Sequence, residues 1–146
     1  MMEDMQKYDE DFFLFLEAGF IAINQADEDS CVKLFKTCEL LRPNNLLHKV
    51  GIGYLHLHKL EVKEAISHFQ EVLDEEPDND MAMTLLGVAK TLTPDQVAAG
   101  ERLLTQSVQE SNDPYVKNAA NTALDFVDRF IKKYPGPAEV KPKPPS

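Results

Sequence analysis

Basic residues are scarce in this chain: 15 lysines and arginines stand against 25 aspartates and glutamates, a formal charge of −10 over 146 residues. Such a balance repels phosphate backbones and anionic headgroups, so no nucleic-acid partner is expected. Long hydrophobic runs are also missing. None approaches the roughly 20 residues that a spanning helix needs, so no membrane insertion is expected. The opening MMEDMQKYDED is acidic and polar, unlike a charged-then-apolar secretory leader, and the expected location is the cytoplasm. The length suits one domain with a real core.

Cysteine occurs twice, at Cys31 and Cys38. On one helix that spacing is about two turns, roughly 10 Å of rise, beyond the about 7 Å between Cα atoms that a disulfide tolerates. Neither has a second cysteine or histidine at zinc-ligand spacing, so both are expected reduced and buried. His56 and His58, two apart on a helix, point about 200° from one another and make a poor metal pair. His48 and His68 have no nearby cysteine or carboxylate arrangement. The acidic QADEDS lacks the glycine and distal glutamate of a calcium loop and reads as a solvated turn with helix-start charges. Gly19, Gly51 and Gly53 lie inside apolar helices, where close packing accounts for them better than a phosphate loop does. No nucleophile and base can be paired, so no catalytic residue, metal or cofactor is expected and the chain does not read as an enzyme.

What is present is an interval. Gly19, Gly53 and Gly87 are 34 residues apart, as are Phe35 and Phe69, Cys31 and Ala65, and Pro43 and Pro77. Small residues where two helices touch, an aromatic filling the gap and a proline where one helix must stop form the pattern of a helical hairpin repeat. Counted from Phe12, Leu46 and Asp80, the first two copies run without gaps. The third continues to Ala99 and Leu103 if ungapped, with Gln106 at a small position and Ser111 in place of proline; a one-residue insertion near Thr93 would instead bring in Gly100, Leu104 and Ser107. Prolines beside capping residues place helices at about 11–25, 28–42, 45–58, 61–76, 80–92, 94–111 and 114–134. The last is apolar at Val116, Ala120, Ala123, Phe126, Val127 and Phe130, suited to a capping helix with one wet face. We expect an acidic extension over 1–11, a repeat domain over 12–134 and a disordered proline-rich tail over 135–146.

On these residues the chain resembles the tetratricopeptide repeat family over residues 12 to about 111. The resemblance implies an all-α fold of three helical hairpins plus a C-terminal capping helix, wound into a short right-handed superhelix with a concave groove. Four positions on each first helix line that groove in the family. Here they are Phe13, Leu16, Phe20 and Ile23, then Leu47, Val50, Tyr54 and Leu57, then Met81, Thr84, Val88 and Thr91, ten of the twelve apolar or aromatic. Family members that clamp a carboxylate tail use lysine and asparagine there, because a carboxylate needs cationic donors; this chain has Leu16 and Phe20 instead. A greasy groove suits the apolar face of a partner helix, with Phe20 and Tyr54 as expected anchors and Leu16, Val50 and Val88 around them.

The acidity, the three copies and the stretch FLFLEAGFIAINQADEDSCVKLFKTCELLRPNN are also similar to bacterial type III secretion chaperones of the needle-subunit chaperone type. That resemblance implies a bacterial cytoplasmic chaperone holding the amphipathic helix of a small secreted filament subunit. It also implies a small helical co-chaperone on the N-terminal helices, where Phe12 or Phe15 would offer surplus apolar surface. The alternatives are a general tetratricopeptide scaffold and a self-associating module, with a homodimer when the client is absent.

Overall fold

Side-chain caps mark where three of the helices begin. The computed structural model describes residues 9–133, and every regular element among them is helical, with no strand. A 3-10 turn at Asp9–Asp11 leads into α1 (Phe12–Asn24), followed by α2 (Glu28–Leu41), α3 (Leu47–His58), α4 (Val62–Glu75) and α5 (Asp80–Thr91). A second 3-10 turn at Pro94–Gln96 precedes α6 (Val97–Glu110), and α7 (Pro114–Phe126) runs into a π turn at Val127–Ile131. The expected tail lies outside the described residues. Helix starts leave backbone N–H groups without partners, and short polar side chains satisfy them. The Asp27 carboxylate accepts from the Ser30 amide at 3.1 Å, opening α2 in the stretch read as a charged turn. Asn79 accepts from Ala82 at 3.0 Å and Asp113 from Tyr115 at 2.9 Å; ahead of α3 the N-cap is Leu46, and Asn45 just before it accepts from Leu47 at 3.0 Å.

The ends of α1 and α3 repeat each other as well. Ala26 and Leu60 take left-handed backbone, φ 58° and 61°. The amides of Ala26 and Asp27 bond back to the carbonyls of Ile23 and Ala22 at 3.0 and 2.8 Å, and those of Leu60 and Glu61 to Leu57 and His56 at 2.9 and 2.8 Å. This paired closure is the Schellman motif, which usually places glycine at the left-handed position.

The described residues divide after Pro77 into two compact units. In the first, α1 packs on α2, α3 packs on α4, and α3 also lies against α1 and α2. Its core holds Phe12, Leu16, Ile23, Cys31, Phe35, Cys38 and Leu55. The Phe35 ring occupies the place where two helices carry no side chain: a Cβ on Gly19 would come within 2.8 Å of Phe35 Cδ1, and one on Gly51 within 2.7 Å of Cε2. Gly53 stands in the same relation to Phe69, 2.8 Å from Cδ1.

In the second unit α5 packs on α6, and α7 covers both. Here the insertion register holds. A Cβ on Gly87 would meet Leu104 Cγ at 2.8 Å, and one on Gly100 would meet the Gly87 carbonyl at 2.6 Å. Gly100, Leu104 and Ser107 are buried, while Ala99, Leu103 and Gln106 are half-buried. The expected helix from 94 begins as the 3-10 turn Pro94–Gln96, whose tighter winding accompanies the extra residue. The capping helix departs from its expected apolar face. Val116, Ala120 and Val127 are buried and Ala123 is half-buried, but Phe126 and Phe130 are exposed, their ring centroids 5.2 Å apart. Phe126 is one residue from Val127, about 100° round the helix, so both cannot face the same neighbour.

Two outcomes are expected in urea unfolding. Alanine at Gly51 would gain about 1 kcal/mol of helix propensity but overpacks Phe35 at a cost of about 1–3 kcal/mol; net destabilisation is expected, and Phe35→Leu in the same chain should relieve it. Stabilisation by Gly51→Ala alone would show that the ring yields freely. Leu60→Gly should raise stability by up to about 1 kcal/mol, because it removes the left-handed strain from an exposed side chain. An unchanged midpoint would count against that strain.

Candidate functional site

The aromatic residues expected as anchors meet in the first unit. Phe20 comes from α1 one residue after Gly19, and Tyr54 from α3 one residue after Gly53. The two rings lie 5.6 Å apart by centroid, and Phe20 also meets the core ring of Phe35 edge-on at 5.4 Å. The Tyr54 hydroxyl donates to Asn24 Oδ1 at 3.2 Å, and His58 lies 6.4 Å from the Tyr54 ring. A half-buried aromatic with a tethered polar tip combines apolar contact area with low conformational entropy.

The remaining groove candidates divide by burial. Phe13 is 55% exposed, with the Arg42 guanidinium 5.2 Å from its ring centroid, held there by Asp9, whose Oδ1 accepts from Arg42 Nε at 3.1 Å. Leu47 is half-buried, whereas Leu16, Ile23, Val50 and Leu57 are buried. Val50 has no exposed surface because α3 is packed against α1, α2 and α4 together, leaving it little free face. In the second unit Met81 is exposed and Val88 half-buried. Thr84 and Thr91 are buried, with hydroxyls donating to the Asp80 and Val88 carbonyls at 2.8 and 2.7 Å. The buried members therefore stand beneath the surface, and Phe13, Phe20, Leu47, Tyr54, Met81 and Val88 are those that a partner could touch.

The surplus apolar surface of α1 is not where the sequence placed it. Phe12 is fully buried and Phe15 half-buried; Leu14 and Ile21, at 62% and 49%, are exposed together with Phe13. Phe12 turns inward because its carbonyl and ring sit over α2, where Cys38 Sγ donates to the Phe12 carbonyl at 3.8 Å and Arg42 lies 4.9 Å from the ring centroid. The apolar makeup of FFLFLEAGFIAI announced an excess but not its direction, since a helix apolar all round has no wet face to orient it.

The polar groups near these rings pair with one another. His56 Nδ1 lies 3.1 Å from Glu61 Oε1, and its ring stacks on His68 with centroids 5.0 Å apart. The hydrogen bonds from Lys59 and His56 hold the Glu61 carboxyl below its ordinary range. Burial, with Glu28 and Asp27 adding to it, pushes the Cys31 thiol up to about 11, and burial also raises Cys38, so neither is a ready thiolate. Among the described residues no group of three or more histidine, cysteine, aspartate or glutamate side chains could hold a metal. No helix there is long and apolar enough to cross a membrane. No protein-family model, curated protein or solved structure matches the chain.

Two imidazoles tie this unit to pH. His48 is buried, its ring nitrogens without a hydrogen-bond partner among the described residues and Glu39 Oε2 3.8 Å from Nε2. Burial lowers its pKa, and burial together with His56 lowers that of His68. The unfolded rings take protons at about 6.5, so the stability contributed by the neutral rings is complete above that pH and is lost as pH falls toward the depressed folded values. Unfolding free energy should therefore decline from pH 7 to 5, and His48→Leu/His68→Leu should flatten the decline. An equal slope in that variant would assign it to other groups.

Proposed function

We propose that this chain is a type III secretion chaperone of the needle-subunit chaperone type, which keeps a small, aggregation-prone filament subunit soluble in the bacterial cytoplasm. In this reading the three hairpins are tetratricopeptide-like and wind as a right-handed superhelix, a proposal supported by the 34-residue interval of Gly19, Gly53 and Gly87. The client would offer the apolar face of an amphipathic helix, read at spacings of three and four residues. The observation that carries the reading is the Phe20–Tyr54 pair, half-buried and seated on the core through Phe35, with exposed Phe13 on the same helix as Phe20. Rigid, partly desolvated aromatics of this kind dominate helix-docking interfaces. The mechanism is occlusion: the client's apolar face is covered until release, and no bond is made or broken.

Leu16, Ile23, Val50 and Leu57 support that contact from beneath. The exposed Phe13, Leu14 and Ile21 favour one second reading, in which a second copy or a small helical co-chaperone covers α1. Contiguous apolar exposure of that kind is uncommon on a monomer that works alone.

The test is gentle purification from native cells, mass spectrometry of whatever accompanies the chain, and light scattering for stoichiometry. A small helical, filament-forming protein at one to one is expected. Phe13→Asp and Tyr54→Asp should weaken its capture by about tenfold or more without loss of helical circular dichroism. Phe20→Asp is a poorer probe, because its ring packs on Phe35. A stable homodimer with nothing else bound would replace the chaperone reading with self-association.

A further inference from the structure

Glu17 is the one charged residue of α1, and it stands inside the apolar face of that helix. Phe13, Glu17, Phe20 and Asn24 follow one another at spacings of four, three and four residues, which puts them on a single face. Phe13 and Glu17 are exposed, Phe20 is half-buried against Phe35 and Tyr54, and the Tyr54 hydroxyl reaches across to Asn24. Glu17 therefore lies one helical turn from each of the two phenylalanines.

The basic side chains of α2, α3 and their C-caps are already engaged. Lys33 pairs with Asp29, Lys36 with Glu39, Arg42 with Asp9, Lys49 with Glu75, and Lys59 with both Glu28 and Glu61. Glu17, by contrast, has no hydrogen bond or ion pair among the described residues. While the face is open, water solvates its carboxylate. Once a partner covers Phe13 and Phe20, the same carboxylate loses that water, and a charge left unpaired under cover is strongly unfavourable. A partner with a wholly apolar face is rejected at this point, and one that brings a cation is selected.

We propose that the helix seated on Phe20 and Tyr54 carries lysine or arginine at the border of its apolar face, and that Glu17 accepts a charge-assisted hydrogen bond from that cation. The proposal rests on the occlusion reading above and adds the chemistry of the client: an amphipathic helix that is basic beside its apolar stripe. The chain's formal charge of −10 favours the same partner at a distance, since it draws a basic helix in and repels an acidic one. A second copy fits this face poorly, because its own cations over the same stretch are engaged.

The experiment is an amide NMR titration of the full chain with two acetylated and amidated peptides, LKKLLKLLKKLLKLG and LEELLELLEELLELG, which share one leucine face and differ in the charge that borders it. The lysine peptide should shift the amides of Phe20 and Tyr54 saturably and bind at least about tenfold more tightly than the glutamate peptide. Glu17→Gln should weaken the lysine peptide by about tenfold, and Glu17→Lys should favour the glutamate peptide. Glu64→Gln, at an exposed carboxylate of α4 that also lacks a partner among the described residues, should leave both unchanged. Equal weakening by Glu17→Gln and Glu64→Gln would reduce the effect to diffuse acidity and overturn the proposal. Equal binding of the two peptides at these amides would overturn it while leaving the occlusion reading in place. If neither peptide shifts them, the occlusion reading falls and the proposal with it. A homodimer in light scattering that the lysine peptide does not dissociate would assign the face to a second copy and overturn it too.

Discussion

The Phe35 ring, seated where Gly19 and Gly51 leave two backbones bare, is the contact on which the first unit depends. It joins α1, α2 and α3 at one place, and burying such a ring contributes about 1.5–3 kcal/mol. The same seat makes glycine necessary in the middle of two helices, where each costs about 1 kcal/mol of propensity. Packing therefore offsets an intrinsic weakness, and the helices hold because they are assembled. Close-packed interiors do not absorb even one methyl group without displacement.

Each later copy solves the same problem with different residues. Phe69 faces Gly53 as Phe35 faces Gly19, at the same separation along the chain. In the third copy Leu104 faces Gly87, and Gly100 brings two backbones together directly. The one-residue lengthening is absorbed by the turn at Pro94–Gln96 and not by the interface, because a surface turn can be redrawn more cheaply than a buried contact. The left-handed closures at Ala26 and Leu60 belong to the first two copies only, and no left-handed residue ends α5 among the described residues.

The surface inherits its character from this packing. Phe20 and Tyr54 each follow a packing glycine, so their backbones are held close to a core ring while their edges stay half open. The buried thiols of Cys31 and Cys38 are kept protonated by the same apolar surroundings. Polar interactions at the helix ends arrange the second unit differently: carboxylates that cap or flank α5, α6 and α7 share one pocket.

Local chemistry was legible without coordinates. The helical class, the caps at Asn79 and Asp113, and the pairing of small residues with rings in the first two copies follow from side-chain size and hydrogen-bonding capacity at fixed spacing, which the sequence displays. Phe20 and Tyr54 were singled out only through the groove positions that the tetratricopeptide resemblance implies, and the meeting of their rings came from the packing of α3 on α1. Three things were decided only by assembly. The register after Thr93 had two readings of equal merit, and the close approach of Gly87 and Gly100 chose between them. Which candidates were covered, Val50 and Ile23, and which stood open, Phe13 and Met81, depended on how many neighbours each helix has. The outward turn of Phe126, Phe130, Leu14 and Ile21 likewise followed from where adjacent helices lie, because hydrophobic attraction has no direction until packing supplies one.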